Sequence, residues 1–288
     1  MTSAIRLQGT IFCSLAAIVT VLSLILPRLE ERIELITIAS LIILLGVPHG
    51  AMDTIFAKSI YKISSIKGWL VFSGIYILIA SLVVGVWVLT PILFLLGFLV
   101  ISIAHFSGDP VDGTRTLSRL LYGGAVIVLP TLFNQLEIER LFGFLVGSSA
   151  ALSVSAIIAW LSWPWLLGLL LAALFEFTKN KQTGFELLAV AALATFAPPL
   201  VGFTLFFCIM HSARHILRTL NYAKGTSTIL ILMMSILPML TICIAIAIGW
   251  NALVDVSFDV LVIQIIFVGL AALTVPHMAL VERVRLTC

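Results

Sequence analysis

The chain has 288 residues, 61% of them hydrophobic and only 10% charged, with a mean hydropathy of +1.23. A water-soluble domain of this length needs far more charge to cover its surface, so the exterior is made for lipid. The net charge of +3, from 16 Lys and Arg against 13 Asp and Glu, is too small to suggest nucleic acid.

At the N-terminus a single basic residue, Arg6, precedes an apolar run that reaches Leu26 and ends in Leu26-Pro27-Arg28. No small-residue cleavage site follows, so the run reads as a retained first helix and not as a signal peptide. A spanning helix needs about 20 mostly apolar residues. That rule gives spans at about 5–26, 33–57, 67–89, 91–108, 117–133, 150–177, 184–197, 199–222, 227–250 and 258–283. The stretch from Glu137 to Ser149 fits either a separate span or a short surface helix ahead of one long span.

Charge placement favours the second choice. With ten spans and the N-terminus inside, the inner segments hold Arg6, Lys58, Lys62, Lys67, Arg115, Arg119, Lys179, Lys181, Arg218, Lys224, Arg283 and Arg285. The outer segments hold only Arg28, Arg32 and Arg140, a strong positive-inside bias that an eleventh span would spoil. The expected fold is therefore all-α: a polytopic transmembrane bundle of about ten helices (range 8–10), both termini cytoplasmic. No gap is long enough for a soluble domain, so residues 1–288 are expected to form one integral membrane domain of the cell membrane. The cysteines Cys13, Cys208, Cys243 and Cys288 are scattered without a CxxC pair and read as packing residues.

Chemistry concentrates in the histidines. All five, His49, His105, His211, His215 and His277, fall inside the expected spans and none in a loop. Ionisable groups within a membrane are costly and usually functional. Their spans (the second, fourth, eighth and tenth) all run from outside to inside, which puts the five imidazoles together in the inner half of the bilayer. His211 and His215 stand at i and i+4, one above the other on one helix face, the spacing of a bidentate metal clamp. His49-Gly-Ala-Met-Asp53 and His105-Phe-Ser-Gly-Asp109 both read HxxxD. A carboxylate four residues on can accept the proton of the non-ligating ring nitrogen, or can itself be a ligand. Pro48 and Pro276 precede two of the histidines; each removes a backbone bond, freeing the carbonyls of Leu44 and Ala272, and such broken backbone survives in a membrane only where buried or lining a cavity. Neutral imidazoles suit iron, zinc, copper or nickel, and spacing does not choose among them.

The blocks Gly46-Val-Pro-His-Gly-Ala-Met-Asp53, Ala104-His-Phe-Ser-Gly-Asp109, His211-Ser-Ala-Arg-His215 and Pro276-His-Met278 resemble those of the Brp/Blh family of membrane β-carotene 15,15′-dioxygenases, in the family's order and over nearly the whole chain. The resemblance implies an iron(II) enzyme that uses O2 to cleave the central double bond of β-carotene into two retinal molecules, which supply microbial rhodopsins. Carried over by motif, His49, His105, His211 and His215 would be the iron ligands. His277 would be a fifth ligand or a group behind them, and Asp53 and Asp109 orienting partners. A narrow apolar channel would have to hold the polyene beside the metal, and Phe106, Phe206, Phe207 and Met278, next to the histidines, are candidate walls.

Arg214, between the clamp histidines, is expected to pair with Asp53 or Asp109 or to snorkel to the inner surface. The alternative function is a His/Asp-lined transporter of divalent metal or protons, although the outer halves of the spans offer no polar path.

Overall fold

In a computed structural model, which describes residues 3–223, 227–252 and 256–287, every regular element is helical. Lys224 and Cys288, assigned above to an inner segment and to the scattered thiols, lie outside the described residues. In chain order the helices are α1 (Ser3–Ile25), α2 (Glu31–Tyr61), α3 (Ile66–Leu89), α4 (Pro91–Phe106), α5 (Thr116–Val128), α6 (Thr131–Val146), α7 (Ser148–Phe177), α8 (Lys181–Phe196), α9 (Pro199–Tyr222), α10 (Thr228–Ala252) and α11 (Phe258–Thr287).

Among the described residues, six helices, α1, α2, α3, α7, α9 and α11, are long and apolar enough to cross a membrane. A seventh crossing forms if α5 and α6, bent by 61° at their junction, count as one. The ambiguous stretch around Glu137 resolves into the second arm of that bent pair. It ends at Gly147, whose φ of +83° suits glycine, and a single 30-residue helix, α7, follows.

α1 buries Ile5, Gln8, Gly9, Phe12, Ala16 and Thr20, a stripe at three- and four-residue spacing that packs along α8. Gly9 permits this approach, since a Cβ there would collide with the side chains of Gln182 and Glu186. Phe12, Phe106, Tyr122 and Phe206 interlock edge-on or tilted in the core. Two of the long helices are broken. α2 runs as an α-helix to Leu41, widens to π-helical geometry over Ile42–Gly46, passes through Pro48–Ala51, and restarts at Asp53 after Met52, whose ψ is −4°. α9 widens in the same way over Phe206–Ser212. The two widened turns lie against each other, with the Phe207 ring seated over Gly46. The prolines behave differently: Pro48 stands at a break, whereas α11 continues through Pro276.

The opposite ends of the bundle carry the two basic sets. Arg28, Arg32 and Arg140 gather at one end, where Arg28 pairs with Glu137 (2.5 Å), Arg140 with Glu31 (2.6 Å), and Arg32 lies over the Phe258 ring. At the other end, Arg115 and Lys179 share the Phe175 ring and Arg283 lies over Tyr61.

Candidate metal centre

All five histidines meet in one cluster. The His49 ring is 5.0 Å from that of His211, 5.5 Å from His215 and 5.2 Å from His277, centroid to centroid. His105 stands 4.4 Å from His211 and 5.2 Å from His277, and His215 is 4.9 Å from His277. The clamp pair, His211 and His215, is near parallel with centroids 6.4 Å apart. One ring nitrogen from each of His49, His105 and His277 falls within 4.8 Å of the other two, close enough for one ion.

The polar partners decide which nitrogen each ring offers. His49 Nδ1 lies 2.5 Å from the Gly46 carbonyl oxygen, which can only accept, so Nδ1 carries the proton. Ser212 Oγ stands 3.0 Å from the same nitrogen. His211 Nδ1 donates to both oxygens of Asp109 (3.0 and 3.1 Å), and His277 Nδ1 donates to Asp53 Oδ1 (2.6 Å). In all three rings this leaves Nε2 as the free lone pair. Nε2 of His211, His215 and His277 is buried with no hydrogen-bond partner. A buried imidazole lone pair without a donor is unfavourable; several turned into one cluster fit a metal ion with neutral nitrogen ligands.

The carboxylates take partners other than those their spacing suggests. Asp53 binds His277 rather than His49, and Asp109 binds His211 rather than His105. The i, i+4 relation within each HxxxD block is lost because neither block is a continuous helix. Met52 breaks the first, and α4 ends at Phe106, three residues before Asp109. Both aspartates therefore bridge separate elements.

Arg214 corrects a second expectation. It neither pairs with an aspartate side chain nor reaches the surface, and is fully buried. Its guanidinium grips Glu186 of α8 through two bonds (2.7 and 2.8 Å), and Nε donates to Gln8 Oε1 of α1 (2.9 Å). Nη1 also reaches the backbone carbonyl of Asp109 at 3.2 Å. One turn on, Arg218 donates to the carbonyls of Gly108 and Asp109 (2.9 and 2.8 Å). Two arginines of α9 thus hold the loop that carries Asp109. Gln8 Nε2 donates to the Ile209 carbonyl (2.7 Å) inside the widened turn of α9, supplying a donor where the ladder is distorted.

Of the candidate channel walls, Phe106, Phe206 and Phe207 are buried in the core, and Met278 is half-buried. Phe207 lies edge-on to His49 and flat against His211, and Phe106 is edge-on to His211. Sequence reasoning missed Gln8, Tyr76, Glu186, Ser212 and Arg218. Glu186 carried a usable signal: an acid within an apolar run needs a cation, and Arg214 was the one deep cation in a span. Tyr76, which donates to Asp53 Oδ2 at 2.9 Å, carried none.

A family model described as beta-carotene 15,15′-dioxygenase matches residues 40–284, a stretch containing all five histidines. Over 257 residues the chain is 32% identical to the beta-carotene 15,15′-dioxygenase of uncultured marine bacterium 66A03, covering 84% of this chain and 91% of that protein. No solved structure matches. With its apolar helices and its buried histidine cluster, the chain belongs to the β-carotene 15,15′-dioxygenase family and is a carotenoid-cleaving dioxygenase.

Proposed function

We propose that this protein is an iron(II)- and O2-dependent enzyme that cleaves the 15,15′ double bond of β-carotene to two retinal molecules within the cell membrane. The observation that carries the reading is one histidine cluster in which Nε2 of His211, His215 and His277 is buried without a partner, while Nδ1 of His49, His211 and His277 is held by oxygens. His49, His105, His211 and His215 would hold the iron, together with His277, whose ring nitrogen sits close to those of His49 and His105. When bound, iron(II) would supply the redox centre at which O2 becomes reactive toward an alkene. The overall exchange balances: one C=C and one O=O bond give way to two C=O bonds, so each product carries one aldehyde oxygen.

The chain's own residues do the rest. Asp109 and Asp53 fix the tautomer and orientation of His211 and His277 and raise their basicity. Ser212 and the Gly46 carbonyl do the same for His49. Phe106, Phe207 and Phe56, each ring-to-ring with a cluster histidine, keep the surroundings apolar and exclude water that would divert an oxidising site. The substrate is an uncharged hydrocarbon that dissolves in lipid, so an enzyme built as one integral membrane unit can receive it sideways. Because the two halves of β-carotene are chemically alike, selectivity for the middle bond must come from where the polyene is held. Retinal released into the bilayer is then available to a rhodopsin. The charge pattern favours ten crossings with both termini inside.

The test is turnover by purified protein in detergent with β-carotene, iron(II) and air, products separated by chromatography. Two retinal per carotene, lost in His49→Ala and His211→Ala and absent without oxygen, is the expected result. Iron-loaded, folded protein that yields no retinal would overturn the reading.

A further inference from the structure

α3 is 24 residues long and highly apolar, yet it buries none of them. It lies mainly against α11 and α4 and leaves much of its apolar surface exposed. Between α3 and α11 lies a cavity of about 600 Å³, within the roughly 300–1,000 Å³ usual for small-molecule sites. On α3 its lining runs from Lys67 to Ile79 through Phe72, Ile75 and Tyr76; on α11 it is Pro276, Ala279 and Leu280. Twelve residues of helix correspond to roughly 18 Å of length. The walls are aliphatic and aromatic along that length, and the one lysine stands at the far end, where α3 begins.

The inner end touches the histidine cluster through two independent links. Pro276 is covalently next to His277. Tyr76 donates to Asp53 Oδ2 (2.9 Å), and Asp53 Oδ1 accepts from His277 Nδ1 (2.6 Å). A ligand filling this space would lie along the Tyr76 ring with its end at the wall behind His277.

We infer that the α3–α11 cavity seats one arm of the polyene, entered sideways from the bilayer, and that Tyr76 at its inner end is a positioning residue acting on His277 through Asp53. This rests on the carotenoid-cleaving reading above and adds the place where the substrate lies. The shape is long and laterally open, and the walls offer aromatic and aliphatic contact with no buried charge, which suits an extended conjugated hydrocarbon and no polar ligand. A cavity of fixed length whose inner wall is formed by Tyr76 and Pro276, next to His277, also supplies what central cleavage requires, a stop that sets how far the polyene reaches.

The experiment fills the cavity from each wall with Ile75→Trp and Ala279→Trp, with Leu82→Trp as the control: Leu82 is exposed on α3 but does not line the space. β-Carotene retained by purified protein is read from its absorbance, together with iron per chain and kcat and KM for retinal formation. The expected result is about a tenfold or greater loss of retained carotene and of kcat/KM in both filled variants, with iron content and the control unchanged. Tyr76→Phe should lower kcat with little change in retained carotene. Filled variants that bind and cleave like wild type would overturn the assignment while leaving the cleavage reading intact. Wild type that retains carotene, loses it on filling, and forms no retinal would support the cavity and sink the cleavage reading. Protein that retains an acyl lipid in place of carotene would overturn the cavity assignment.

Discussion

Asp53 and Asp109 are each 4% exposed or less, and each spends an oxygen on the Nδ1 proton of one histidine. A carboxylate in that position raises imidazole basicity and locks the ring, and its loss commonly costs about 10–100-fold in metal affinity. In protein loaded with iron(II), Asp109→Asn and Asp53→Asn are therefore expected to give the ion up to a chelator at proportionately lower concentrations; retention equal to wild type in both would remove the aspartates from the site. Arg214→Ala would leave Glu186 charged, with Gln182 but no cation beside it, in a site 1% exposed, a loss of about 3–5 kcal/mol for breaking a buried pair. Thermal unfolding in detergent should show Arg214→Ala well below wild type, and Arg214→Met with Glu186→Leu part of the way back. Equal midpoints for wild type and Arg214→Ala would mean that the pair holds nothing together. At this scale the sequence told which residues come together better than it told their hydrogen-bond partners. The five histidines were legible because imidazole within a span is conspicuous. The pairings Asp53–His277 and Asp109–His211 were not, since they join residues 224 and 102 positions apart and local spacing points to the wrong neighbour.

The breaks in α2 and α9 are what let residues from distant stretches share one cluster. A widened turn shifts every side chain beyond it around the helix, and such turns recur at functional sites. Pro48 flags the break in α2, because proline cannot close the ladder. Nothing comparable marks Phe206–Ser212, where the extra residue is accommodated by Gln8 from α1 and by the facing turn of α2; that distortion arises from packing between helices and has no local signature. The two turns touch through Gly46, where a Cβ would stand 2.5 and 2.9 Å from carbons of the Phe207 ring. Gly46→Ala should therefore push Phe207 against His49 and His211. The expected cost is about 1–3 kcal/mol of overpacking with a fall in the metal taken up on loading with iron(II), and Gly46→Ala with Phe207→Leu should restore much of both. Metal analysis alongside thermal unfolding would reveal it; full occupancy in Gly46→Ala would mean that the turn tolerates slack.

Over the whole molecule, hydropathy and charge carried the furthest. The apolar runs reappear as helices, and Arg28, Arg32 and Arg140 come together at one end although they were grouped only by a charge count. The number of crossings is the part that composition leaves open: α4 and α8 have 16 residues each, short of the roughly 20 that a straight crossing needs. Cysteines placed at Arg28 and at Lys181 in a cysteine-free background should react with an impermeant reagent from opposite faces of a sealed vesicle. Labelling from the same face would rule out the proposed topology. A transporter needs a polar route through both halves of the bilayer; here the five histidines, Asp53, Asp109, Arg214 and Arg218 converge on one cluster and its supports.

Where similarity begins and where the physical unit begins are different places. The family match starts at residue 40, beyond α1 entirely. Yet Gln8 donates to the Ile209 carbonyl and accepts from Arg214, and Phe12 closes against Phe206. A gene trimmed to the recognisable stretch would encode every histidine and still expose the back of the helix that holds two of them. Such a protein is expected to fold poorly and to hold metal weakly, and adding α1 back as a separate chain should rescue it. The first helix is best regarded as a buttress: it makes no chemistry, and the chemistry leans on it.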